Sequence, residues 1–206
     1  MGEAVRILEE SIQAKPSDGD LYMILSAVYE KEDQLEKALS ALKRGLETNQ
    51  NHVDIHYQLG ALYDKMGDFD KMEVEIKEVL RLNPNHADAL NYLGYSYSDR
   101  NIRLEEALQL IQKAMELKPN MGYITDSLGW VYYKLGDYER AVIELEKASQ
   151  LTPDDSTITE HLADSYLKLS RVEKAIEFYE RALRLDPKPD QKERLQKKIK
   201  ELKDKK

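Results

Sequence analysis

Residues 126–141 read DSLGWVYYKLGDYERA, and this stretch decides the fold. At 3.6 residues per helical turn, Leu128, Gly129 and Tyr132 share one face of a helix. Gly136 then supplies a tight turn, and Ala141 lies on the segment that follows it. The stretch therefore predicts two short antiparallel helices that approach each other closely at small residues.

The same pattern recurs along the chain every 34 or 35 residues. A leucine precedes a small residue, and a tyrosine follows, at Leu25-Ser26 and Tyr29, Leu59-Gly60 and Tyr63, Leu93-Gly94 and Tyr97, Leu128-Gly129 and Tyr132, and Leu162-Ala163 and Tyr166. The second helix of each unit has its own contact position, at Ala38, Met72, Ala107, Ala141 and Ala175. One helix pair cannot bury its apolar face alone, so units with this period are expected to stack.

With LGxxY, then alanine, then proline on this period, the chain resembles the tetratricopeptide repeat family over nearly all of residues 3–187. The resemblance implies an all-α fold, a right-handed α-solenoid of helix-turn-helix repeats with about twelve helices. The position where the family often has tryptophan is occupied by Tyr22, His56, Leu90, Thr125 and Thr159. Trp130, the only tryptophan, lies outside that column.

The predicted organisation follows from the repeat period. Residues 1–17 form a partial repeat that contains the second helix only, which predicts that the natural protein continues N-terminally. Five repeats occupy residues 18–187, at about 19–52, 53–86, 87–121, 122–155 and 156–187. Residues 188–206 form a C-terminal capping helix, with an apolar stripe of Leu195, Ile199 and Leu202 on a charged background.

Trp130 points away from the leucine face of its helix, and in the family this opposite face of the first helices lines a concave groove. The equivalent face of the last repeat presents Thr157, Glu160, His161 and Asp164. Tyrosine and tryptophan are enriched at binding hot spots, so a peptide or protein segment is predicted to bind there. The predicted site residues are Tyr57, Asn91, Tyr92, Tyr95, Tyr123, Asp126, Trp130 and Tyr133. An alternative stays open, in which Trp130 and Tyr95 pack together as spacers between repeats.

These observations predict a non-catalytic scaffold or adaptor for protein–protein interactions. Because carboxylates outnumber cations on the predicted groove face, an apolar or basic partner segment is expected. Residues 91–148 are similar to bacterial tetratricopeptide proteins, including exported or outer-membrane-anchored lipoproteins that act as adaptors for periplasmic proteases. This similarity implies a role in envelope assembly or protease regulation.

The location in the cell stays open. The chain starts without a basic, apolar leader, which predicts a cytoplasmic protein as expressed. The similarity to exported lipoproteins instead implies a periplasmic or outer-membrane-anchored full-length protein. No stretch of about 20 apolar residues is present, so the chain is not expected to insert into a membrane.

Catalytic and cofactor motifs are absent from the sequence. The chain has no cysteine, no GxxxxGK[ST] loop and no HExxH motif. His52 and His56 have the i, i+4 spacing of a metal pair, but no third ligand follows at motif spacing, and His86 and His161 stand alone. We therefore expect no enzyme activity, no metal and no cofactor.

Charge is unevenly distributed, because residues 188–206 have nine Lys or Arg against four Asp or Glu, whereas the whole chain has net charge −8. The basic segment is interpreted as a solvated cap, with steering of a partner or head-to-tail contact as the alternative. Nucleic-acid binding is not expected, because no aromatic residues are interleaved with the basic ones. A rival function is self-assembly into a homo-oligomer through the uncovered half repeat around Ile7 and Leu8.

Overall fold

The computed structural model describes residues 2–204, which form twelve α-helices and no strand. In chain order the helices are α1 (Gly2–Ala14), α2 (Gly19–Lys31), α3 (Leu35–Thr48), α4 (Val53–Lys65), α5 (Phe69–Leu82), α6 (Ala87–Asp99), α7 (Leu104–Leu117), α8 (Gly122–Leu135), α9 (Tyr138–Leu151), α10 (Ser156–Lys168), α11 (Val172–Arg184) and α12 (Pro189–Lys203). The predicted all-α fold of about twelve helices is confirmed. None of these helices combines the length and the apolar character needed to cross a bilayer.

The helices form two compact units, the first ending at Ala89 and the second beginning at Leu90. In the first unit α2 packs on α3 and α4 packs on α5. In the second unit α8 packs on α9, and α10 packs on α11 and on α9. The predicted repeat boundaries stay a prediction. Met1, in the predicted partial repeat, and Lys205 and Lys206, in the predicted cap, lie outside the described residues.

At the predicted glycine positions the two helices of a pair lie too close together to leave room for a side chain. A Cβ atom built on Gly129 would lie 2.5 Å from Cγ of Leu145 on the partner helix. On Gly60 it would lie 2.6 Å from Cδ1 of Ile76, which is again inside van der Waals contact. The missing side chain therefore lets a large aliphatic residue of the second helix contact the backbone of the first.

The turns inside the helix pairs use left-handed backbone conformations. Gly136, the predicted turn residue, has a φ angle of +83°, and Gly67 at the equivalent position has +79°. The corresponding positions in other units, Asp33, Asn101 and Ser170, also have positive φ. The turn between α6 and α7 has a second such residue, Arg103, at φ +47°. This turn contains the one extra residue of the third unit, so the insertion is absorbed outside the helices.

The two ends of the chain differ in how well their helices are covered. Leu195 and Ile199 of α12 are buried, and Leu202 is half-buried, so the predicted apolar stripe does face the fold. On α1, Leu8 packs against the small core cluster that contains Ile12. Ile7 on the same helix is 49% exposed.

Gly129→Leu is expected to lower the free energy of unfolding by roughly 1–3 kcal/mol, because the new side chain overlaps Leu145. Gly2→Leu is the matched control, since a Cβ there meets nothing within 4 Å and stability should change by less than about 0.5 kcal/mol. Urea denaturation followed by circular dichroism measures both. Equal stability of the two variants would contradict the close approach of α8 and α9.

Candidate functional site

The predicted site residues lie in both units. Tyr57 lies on α4 in the first unit, is half-buried and stacks on His86, with ring centroids 5.3 Å apart. Burial, together with the nearby Asp88 carboxylate, raises the pKa of the Tyr57 hydroxyl. The other seven predicted residues lie on α6 and α8 in the second unit, and the site described below is built from that unit alone.

Trp130 on α8 is a packed residue. Its indole stacks on the imidazole of His161 at 4.0 Å and on the ring of Tyr133 at 4.7 Å, and the side chain is only 8% exposed. The Lys134 ammonium lies 4.8 Å from the indole centroid. Because His161 belongs to α10, the indole contacts the first helix of the next repeat. The indole Nε1 is buried and has no hydrogen-bond partner among the described residues.

His161 forms a buried polar pair with Asp126, which lies one repeat earlier on α8. The His161 Nδ1 and Asp126 Oδ1 atoms are 2.9 Å apart, and both side chains are buried. Burial alone would lower the pKa of His161, but the negative charge of Asp126 and its hydrogen bond raise it overall. His161, which has no partner at metal-motif spacing in the sequence, thus has a polar partner one repeat earlier. The pair fixes the imidazole against which Trp130 stacks.

Glu160 on α10 is neutralised by the C-terminal helix. Arg194 donates from Nε and Nη2 to the two Glu160 carboxylate oxygens at 2.9 and 2.8 Å, and Lys198 donates at 3.0 Å. The amide of Gln191 adds a fourth donor at 3.0 Å. Burial alone would raise the pKa of Glu160, but the hydrogen bonds from Arg194 and Lys198 outweigh it and lower the pKa to about 2.

Asp164, one turn further along α10, extends this network. Lys198 donates to its Oδ1 at 2.6 Å, and the Tyr179 hydroxyl donates to the same oxygen. Burial and the Asp164 charge raise the pKa of the Tyr133 hydroxyl to about 12, so Tyr133 stays neutral at physiological pH. Lys198 thus joins two groove carboxylates to α12, although the basic segment is expected to be solvated.

These polar pairs share one register. Asp126 and His161 are 35 residues apart, while Glu160 and Arg194, like Asp164 and Lys198, are 34 apart. This spacing equals the repeat period of the sequence. Each acidic side chain therefore contacts a residue at the equivalent repeat position, two helices further along the chain. The α12 helix therefore occupies the place of a further first helix.

Two neighbouring cavities on this face form what we call the tyrosine groove. The larger, of about 460 Å³, is lined by Tyr95, Asp99, Trp130, Thr157, Glu160, His161, Asp164, Arg194 and Lys198. The smaller, of about 280 Å³, is lined by Asn91, Tyr95, Tyr123, Asp126, Ser127, Asp155, Thr157 and Ile158. Tyr95 and Thr157 line both cavities, which makes the groove continuous across α6, α8 and α10.

The structure brings five of the predicted residues into the groove lining: Asn91, Tyr95, Tyr123, Asp126 and Trp130. Tyr133 lies behind Trp130 as a stacking partner, and Tyr92 lines neither cavity. The helical period already placed Thr157, Glu160, His161 and Asp164 on this face. Arg194 and Lys198 were missed, because only the 34-residue spacing to Glu160 and Asp164 could have revealed them.

A third cavity lies elsewhere in the second unit. It measures about 410 Å³ and is lined by Met115, Pro119, Asn120, Thr125, Glu144, Lys147, Gln150 and Leu151. None of the predicted site residues lines it. We assign the candidate site to the tyrosine groove, where aromatic rings and polar side chains converge.

The two histidines at the start of α4 make different contacts. His52 caps the helix by accepting a hydrogen bond from the Ile55 amide, and His56 contacts Oε2 of Glu75 at 2.6 Å. Within residues 2–204, no three His, Cys, Asp or Glu side chains are arranged to hold a metal ion.

The stabilising effect of the His161–Asp126 pair should depend on pH. Because the folded-state pKa of His161 is raised, the stabilisation is fully present below the unfolded value of about 6.5 and is lost as pH rises through the folded value. Asp126→Asn keeps a hydrogen-bonding side chain but removes the charge. It should lower stability by roughly 1–3 kcal/mol at pH 6 and by less at pH 9.

Urea denaturation followed by the fluorescence of Trp130, the only tryptophan, measures both proteins at both pH values. A constant difference between wild type and Asp126→Asn across this pH range would show that His161 is not charged in the folded protein.

Comparison with known proteins places this architecture in a family. The family described as "Tetratricopeptide repeat protein 21 C-terminal ARM domain" matches residues 4–199. The TPR repeat-containing protein PA4667 of Pseudomonas aeruginosa is 32% identical over 142 residues. That alignment covers 67% of this chain but 24% of the relative, so the chain spans about a quarter of that protein.

Solved structures show the same fold. A tetratricopeptide repeat protein from Parabacteroides merdae has a TM-score of 0.80 at 20% identity, covering 95% of this chain and 77% of its own. YrrB, described as a TPR protein with an unusual peptide-binding site, has a TM-score of 0.65 at 19% identity, covering 92% of this chain and 97% of its own. From the repeat register, the helix pairs and the family match, this chain belongs to the tetratricopeptide repeat family.

Proposed function

We propose that the chain is a non-catalytic scaffold that binds an extended segment of another protein in the tyrosine groove. The observation that carries this proposal is the continuous groove across α6, α8 and α10, in which two cavities share Tyr95 and Thr157. Tyr123 at its edge is 40% exposed, so its ring is accessible to a ligand.

The dimensions and the chemistry of the groove suit a peptide better than a small metabolite. Each cavity has room for one or two side chains, and the aromatic walls offer rigid contact area with few rotamers to lose. Trp130 forms part of the floor of the larger cavity, but it is only 8% exposed and is held by its stacking contacts. We therefore assign direct contact to Tyr95 and Tyr123, and a supporting role to Trp130 and Tyr133.

An apolar or basic segment is the proposed partner. Glu160 and Asp164 are paired with Arg194 and Lys198, so these two carboxylates add little net charge to the groove. Asp99 remains exposed at the edge of the larger cavity. A strongly acidic segment would approach this carboxylate unfavourably.

The relatives support the class of function. Tetratricopeptide repeat proteins are typically non-catalytic interaction scaffolds, and YrrB is described as having a peptide-binding site. We propose, from the similarity of residues 91–148 to exported bacterial lipoproteins, that the partner takes part in envelope assembly or in the regulation of an envelope protease. The Pseudomonas relative is compatible with a bacterial setting.

Affinity capture from a bacterial extract tests the groove. Tyr95→Ala/Tyr123→Ala removes the two aromatic walls and should reduce capture of the true partner by at least tenfold, because each buried aromatic contact contributes on the order of 1 kcal/mol or more. The captured proteins are identified by mass spectrometry, and their cellular location tests the envelope role.

The matched control is Ile143→Ala/Leu151→Ala, which removes two exposed aliphatic side chains from α9 outside the groove. It should leave capture unchanged. Loss of the partner with the control, or its retention by Tyr95→Ala/Tyr123→Ala at unchanged helicity, would place the binding surface elsewhere.

Self-assembly is the second candidate function, favoured by the exposure of Ile7 on α1. An apolar side chain in that position would be covered if a second copy packed against α1. Light scattering over a hundredfold range of concentration should then show a dimer that Ile7→Lys abolishes. Ile24→Lys is the control, because Ile24 on α2 is also exposed. A monomer at every concentration would exclude self-assembly.

A further inference from the structure

The smaller cavity of the tyrosine groove contains a buried polar group without a partner. Asn91 lines this cavity, is 8% exposed, and its side-chain oxygen has no hydrogen-bond partner among the described residues. Leaving a buried acceptor unpaired is unfavourable, and a donor supplied by a ligand would remove that cost. The last torsion of asparagine is soft, so a small rotation can turn the amide toward the cavity.

The charges around this cavity are of one sign. Asp126 and Asp155 line it, and no Lys or Arg does. Asp126 is already paired with His161, whereas Asp155 caps α10 through Oδ1, which accepts from the amides of Thr157 and Ile158. The second oxygen, Oδ2, has no protein partner in the described part of the chain. A cationic ligand group is therefore complementary to this cavity.

We propose that the smaller cavity recognises a Lys or Arg side chain of an extended ligand segment through Asp155, while Asn91 hydrogen-bonds the main chain of the same segment. Tyr95 and Tyr123 form the walls that contact the aliphatic part of the long basic side chain. This inference rests on the proposed function and specifies it: the partner carries a basic residue in an unstructured, extended stretch.

The test starts from a phage-displayed library of random dodecapeptides selected on the immobilised full chain. Selected sequences should be enriched in Lys or Arg flanked by apolar residues. The best peptide is then synthesised together with an analogue in which norleucine replaces the basic residue. Binding of both peptides is measured by fluorescence anisotropy with wild type and four variants: three single substitutions and Tyr95→Ala/Tyr123→Ala.

Asp155→Asn keeps the helix cap, because asparagine caps as well as aspartate, but it removes the charge. It should weaken binding of the basic peptide about threefold and abolish its advantage over the norleucine analogue. Asn91→Ala should weaken both peptides equally, by roughly three- to tenfold, because it removes main-chain hydrogen bonds. Asp154→Asn, an exposed neighbour outside the cavity, should change neither.

Selection of no peptide, selection of acidic peptides, or wild-type affinity in both Asp155→Asn and Asn91→Ala would overturn the proposal. If Tyr95→Ala/Tyr123→Ala still abolishes binding in that last case, the groove is the site and only the assignment of Asn91 and Asp155 is wrong. If Tyr95→Ala/Tyr123→Ala also leaves binding unchanged, the result contradicts the proposed function as well as the assignment of Asn91 and Asp155.

Discussion

Close packing of paired helices at glycine is the constraint on which the rest of the structure depends. At Gly129 the absent side chain lets Leu145 reach the backbone of α8, and at Gly60 the same space is filled by Ile76. A helix of 13 or 14 residues is only marginally stable in water, so it requires the apolar contacts that this close approach provides. The same contact keeps the opposite face of each first helix uncovered, and the tyrosine groove is built on that face.

Polar residues on the uncovered face are organised by the repeat period itself. Three acidic side chains, Asp126 on α8 and Glu160 and Asp164 on α10, have partners 34 or 35 residues further along the chain. These partners are His161, Arg194 and Lys198. These pairs hold successive first helices in register. They also neutralise most of the carboxylates that the sequence places on the uncovered face. What remains for a ligand is aromatic surface, the amide of Asn91, the cap residue Asp155 and the exposed Asp99.

The fold could be predicted because its signal is local and repeated. The leucine, small residue and tyrosine recur five times at nearly constant spacing, so neither the helix pairs nor the left-handed turns at Gly67 and Gly136 required long-range information. The helical period likewise placed Asp126, Trp130 and Tyr133 on one face of α8, because this grouping depends on the geometry of a single helix.

The degree of exposure could not be predicted in the same way. Trp130 is buried because His161, 31 positions later, lies against its ring, and His161 is held there by Asp126. The docking of Arg194 and Lys198 on α10 depends on how α12 packs, which periodicity within a single helix does not reveal. Long basic side chains on a highly charged helix usually indicate solvent exposure, and most of those on α12 are exposed. Lys198 is the exception, because it is half-buried against Glu160 and Asp164.

The position of α12 has a consequence for protein engineering. Because Gln191, Arg194 and Lys198 contact α10 as the first helix of another repeat would, α12 can be exchanged in an engineered array for the first helix of a further module. Such an exchange requires that the incoming helix keep the donors that pair with Glu160 and Asp164, so these two acidic positions define the rule for joining modules.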